Sequence, residues 1–168
     1  FKFHRTWLAY STIPMFIMGL TLPGLVGAFV YIYLITVYWH YVAQAFGIAL
    51  IYCYKRGYML NNIEKEIFRW FLFSIVGYTT IRFLTYRDLS PRNWFGVDLP
   101  FWGPLPEVLF FIARFACVGM TIAFVVLLAR KYFKENKLMP WPSLMIVATV
   151  AGLGLSQEAA NSMFWFYV

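Results

Sequence analysis

From Gly24 to Tyr54 the chain reads GLVGAFVYIYLITVYWHYVAQAFGIALIYCY, 31 residues without a formal charge. An α-helix needs about 20 predominantly apolar residues to cross the hydrocarbon of a bilayer. Such a segment must lie in lipid or be surrounded by protein on every side. Composition decides between the two. Of 168 residues, 62% are hydrophobic and only 12% charged, about half the charge of an ordinary soluble domain. A chain of this length has too little polar surface to cover a water-soluble globule. The predicted fold class is all-α, a polytopic integral membrane helical bundle.

Five transmembrane helices are predicted in a single domain over 1–168. Thr6 caps a first span from Trp7 to Leu22, kinked at Pro14. Leu22-Pro23-Gly24 turns it into the second span, which Lys55, Arg56 and Gly57 stop. A polar connector containing Asn61, Asn62, Glu64, Lys65 and Glu66 leads to a third span, Glu66 to Tyr86. The link 87–106 carries four prolines, two glycines and two tryptophans, so it is expected as an ordered extramembrane loop at the interface. A fourth span runs from Glu107 to Ala129. The fifth, capped by Ser143, continues to Val168.

Loop charge sets the orientation. Lys2, Arg5, Lys55, Arg56, Lys65, Arg130, Lys131, Lys134 and Lys137 fall on one side of this alternation. Arg87 and Arg92, offset by Asp88, Asp98 and Glu107, fall on the other. The N-terminus is therefore predicted cytoplasmic and loop 87–106 on the opposite face. The net charge of +7 belongs to this topogenic pattern, and nucleic acid is not an expected partner. Lipid and other membrane subunits are. No initiator Met opens the chain and an apolar run closes it. It is therefore expected to be processed, truncated or incomplete, with a segment that completes the site lying elsewhere.

Within the spans, polar residues are scarce enough to name. Tyr33, Thr36, His40, Gln44 and Gly47 recur at spacings of three and four, on one face of the second helix. His40 lies near the bilayer centre, where an unpaired polar group is costly, so this face is expected to point into protein or a cavity. His40 and Gln44 form the candidate cofactor-binding pair. Interhelical hydrogen bonding is the plainer role. Haem, a chlorophyll-type pigment or a metal at His40 is the functional one, because neutral imidazole is a common ligand. With two histidines in the chain, a multi-histidine metal site is excluded from this chain's own residues.

A second candidate site is a buried charge cluster of Arg82, Arg114 and Glu158 in the outer half of the membrane, paired as Arg114–Glu158. On the fifth helix Ala148, Gly152, Ser156 and Ala160 repeat every fourth residue and predict a packing seam. Cys53 and Cys117, in separate spans without ligand spacing, are expected as packing residues. No phosphate loop, GxSxG or HExxH occurs.

Three functions stay open on these residues. The leading one is an integral membrane subunit of a larger assembly, redox or photosynthetic in kind, with His40 contacting a cofactor. The others are a membrane-embedded enzyme acting on a lipid or isoprenoid, with Arg114 holding the head group, and a transporter or proton-conducting protein. The lack of inverted repeats weighs against a complete secondary transporter.

Overall fold

A computed structural model describes residues 26–86, 93–94, 97–98 and 103–160, apart from a few side chains that include those of 155–160. Four helices make up nearly all of it: α1 (Val26–Lys55), α2 (Asn62–Thr85), α3 (Glu107–Glu135) and α4 (Trp141–Ala160). Three of them, α1, α2 and α3, are long and apolar enough to cross a membrane. In α4 the apolar stretch Trp141–Gly152 is shorter. The predicted first span, Trp7 to Leu22, lies outside the described residues. Between α2 and α3, Asn93–Trp94 pairs antiparallel with Val97–Asp98 in a minimal β1–β2 ladder.

Each helix end has a local cause. At the end of α1 the Tyr58 amide donates to Cys53 O at 2.9 Å and the Gly57 amide to Tyr54 O at 3.1 Å. This is a Schellman closure, and Gly57 supplies its left-handed residue at φ 71°. The polar connector expected over Asn61–Glu66 is instead the first turn of α2. Asn61 Oδ1 accepts from the Glu64 amide and Glu64 Oε2 from the Asn61 amide, both at 2.8 Å. That reciprocal pair is a capping box, and it starts the helix about one turn earlier than hydropathy suggests. Asn136, left-handed at φ 49°, closes α3.

The other three helices lean on α2. Its most extensive interface is with α3, and α1 and α4 pack against it and against each other. Phe71 and Phe124 stack at 4.5 Å between centroids, Phe68 joins Phe124 at 5.2 Å, and Phe46 meets Phe68 edge-on at 5.3 Å. Each such pair contributes about 0.5–1.5 kcal/mol beyond its burial.

On α1 the packed face is Val42, Ala49 and Cys53, flanked by Trp39 and Phe46. Small residues there let α4 approach closely. Ser143 Oγ donates to the Ala49 carbonyl at 2.9 Å and accepts from the Cys53 thiol at 3.4 Å, all fully buried. Ser143 is therefore an interhelical clamp, and not the helix cap expected from the sequence. Cys53 and Cys117 are both free thiols.

Of the predicted α4 seam, Ala148 and Gly152 fall among the described side chains, and those of Ser156 and Ala160 lie outside them. Ser143, Val147, Val150 and Gly154 face the bundle, whereas Ala148 and Gly152 are exposed. A side chain on Gly154 would collide with the Ile75 methyl, while one on Gly152 would meet nothing. Bulk on the opposing helix selects the face here. The stripe of small residues does not.

Candidate functional site

The polar stripe of α1 faces outward. Tyr33, Thr36, His40 and Gln44 are all exposed, on the side of α1 away from the rest of the described bundle. The reason is steric. α2 and α4 take the Val42–Ala49–Cys53 side, where backbones can meet, and the polar residues are left opposite. Thr36 satisfies itself by donating to Ile32 O and Tyr33 O of its own helix at 2.8 and 3.0 Å. His40 Nε2 lies 2.8 Å from Gln44 Nε2. With the amide as placed, Gln44 N–H donates to the ring and Nδ1 carries the imidazole proton. With the amide turned over, Nε2–H donates to Gln44 and Nδ1 becomes an acceptor. Either way Nε2 is engaged, and Nδ1 is the nitrogen left for a second partner. Among the described residues no group of three or more His, Cys, Asp and Glu is placed to hold a metal ion. A metal at His40 would therefore take its further ligands from outside the described residues.

Of the predicted outer charge cluster, Arg82 and Arg114 fall among the described side chains. Arg82 is buried on α2. Arg114 lines a crevice of about 340 Å³ whose floor is Phe71, Ile75 and Tyr78. The side chain of Glu158 lies outside the described residues, and with it the Arg114–Glu158 pairing.

A third polar cluster sits at the opposite end of the bundle. Lys131, near the C-terminal end of α3, is buried and its ammonium is surrounded. It lies 3.1 Å from Glu64 Oε2 and 3.0 Å from Glu135 Oε1, and donates to the Met59 carbonyl at 2.9 Å. The Tyr58 ring centroid is 5.8 Å away. Two carboxylates, a carbonyl and an aromatic face thus converge on one cation. The cluster joins the α1–α2 link, the capped start of α2 and the end of α3. The Tyr58 hydroxyl is buried among them without a hydrogen-bond partner. Desolvation, with the negative charges of Glu64 and Glu135 nearby, pushes its pKa up from 10.0 to about 12. Sequence reasoning placed Lys131 among the topogenic basic residues and missed this role. The i, i+4 spacing to Glu135 was the available signal.

Among the described residues, the fold and its polar positions define a helical bundle with three membrane-length apolar helices. No protein-family model matches the chain, and comparison with known proteins found no significantly similar curated sequence or solved structure.

Proposed function

We propose that this chain is a multi-pass integral membrane subunit of a larger membrane assembly, and that His40 and Gln44 meet the partner helix or the cofactor that covers α1. One observation carries the reading. A hydrogen-bonded His–Gln pair is exposed in the middle of a 30-residue apolar helix. His40 lies about 21 Å from the start of α1 at ~1.5 Å per residue, which is half the helix length and hence near the bilayer midplane. Polar groups left unsatisfied in lipid cost several kcal/mol each. The Gln44 contact serves one ring nitrogen, while Nδ1 and the rest of the amide still require partners. A neighbouring transmembrane helix with hydrogen-bonding side chains supplies them. So does an imidazole-ligated cofactor held between subunits.

The test is extraction in a mild neutral detergent, with a photoreactive residue at the exposed Tyr41 position. The expected result is a cross-linked membrane partner or visible cofactor absorbance, lost on His40→Leu with Gln44→Leu. A monomeric species without cross-link or absorbance, identical in wild type and variant, would overturn the reading.

A further inference from the structure

We propose that the crevice between α3 and α4 is a binding site for one anionic amphiphile, with its head group on Arg114 and its chain along the floor made by α2. The inference depends on the bilayer residence in the reading above and not on an assembly at His40. Its geometric origin is that α3 and α4 both pack on α2 but not on each other. The gap between them encloses about 340 Å³. That is near the lower end of the ~300–1,000 Å³ range of small-molecule sites. It suits one narrow chain better than a two-chain lipid.

The walls sort by chemistry along the membrane normal. α3 has 29 residues and is about 44 Å long. Centred on a hydrocarbon core of about 30 Å, it leaves about 7 Å outside at each end. Arg114 is seven residues from Glu107, about 10 Å along the helix, and so lies just inside the head-group boundary. Ile122, about 22 Å along, is at the midplane. The crevice therefore covers the depth of one leaflet, with a guanidinium at its polar end and Phe71, Ile75, Val118 and Ile122 further in.

Thr121 donates its hydroxyl proton to Cys117 O at 2.8 Å and so turns it away from a ligand. The α4 wall is Ala151 and Gly154, which keeps the space open where larger side chains would fill it. Arg114, Val118 and Ile122 are exposed, so the crevice is open to entry from the surrounding lipid. Arg114 already has an interaction partner, and the remaining donors among the five of its planar guanidinium match a phosphate or carboxylate and do not select a neutral head group.

The experiment uses the full chain in neutral maltoside micelles, titrated with dodecyl phosphate and separately with dodecanol, with adducts counted by native mass spectrometry. Wild type is expected to take up one saturable dodecyl phosphate. Arg114→Gln is expected to weaken it at least tenfold while leaving dodecanol unchanged, and Arg114→Lys to retain most of the binding. Val118→Trp fills the crevice and is expected to abolish the adduct, whereas Phe115→Trp, outside it, leaves the adduct intact. Helix content by circular dichroism confirms that each variant folds. No saturable adduct in wild type, or equal adducts in wild type and in folded Arg114→Gln or Val118→Trp, would overturn the site. A chain released from membranes by carbonate would instead overturn the bilayer residence on which the site depends.

Discussion

Replacing Lys131 by Met keeps the length and the apolar stem but deletes the charge around which Glu64, Glu135 and Met59 O converge. The side chains of Lys131 and Glu64 are only 7% and 12% exposed, that of Glu135 43%. Breaking a buried pair by removing one partner costs about 3–5 kcal/mol, because the other charge stays buried. Two features lower that figure. Glu135 can turn to water, and Glu64 retains the Asn61 amide at 2.8 Å. We expect a loss of about 2–4 kcal/mol, measured by reversible unfolding in mixed micelles of increasing dodecyl sulfate.

Glu64→Gln with Lys131→Met should recover part of this, since the uncompensated carboxylate is then gone. The coupling in the double-mutant cycle should exceed about 1 kcal/mol. Glu66→Gln provides the contrast. Its partner Arg69 is 2.6 Å away but the two side chains are 49% and 42% exposed, so that change should cost about 0–1 kcal/mol. Raising the salt should shrink the Glu66 effect and leave the Lys131 effect nearly intact. If Lys131→Met costs no more than Glu66→Gln, the cluster does not hold the three segments together.

Tyr58→Phe removes a buried hydroxyl that has no partner, so stability near neutral pH should be unchanged or raised by up to about 1 kcal/mol. The folded pKa of Tyr58 is raised, so its contribution is complete below pH 10.0 and is lost as pH rises towards about 12. Phe at this position should flatten that alkaline decline, and loss of one late-titrating tyrosinate absorbance would identify the residue. Gly154→Ala drives a methyl into Ile75 and should cost about 1–3 kcal/mol. Combining it with Ile75→Ala should give less than the sum of the two single losses by the same unfolding measurement, and strict additivity would refute the contact. For topology, with Cys53 and Cys117 replaced by Ala, a Cys at Lys134 should react with an impermeant maleimide only from the cytoplasmic side. A Cys at Val108 should react only from the other. The reverse pattern would refute the orientation drawn from loop charge.

Length, hydropathy and local signals were enough to place most of α1, α2 and α3, because one uncharged run of sufficient length allows few alternatives. Gly57 marked the end of α1 for the same local reason. The start of α2 was equally legible in Asn61 and Glu64, but their charge and polarity suggested a connector when read without the capping geometry. Which face of a helix is buried was not legible, because periodicity groups residues onto faces without saying which neighbour each face meets. The His40–Gln44 face is turned away from α2 and α4 because these need the close approach allowed by Val42, Ala49 and Cys53. The same holds for α4, where Gly154 under Ile75 outweighs the Ala148–Gly152 stripe. Lys131 with Glu64 and the crevice beside Arg114 join residues far apart in the chain. Only the packing of α3 and α4 against α2 decides them, since desolvation and the gap between helices do not exist until the tertiary structure forms.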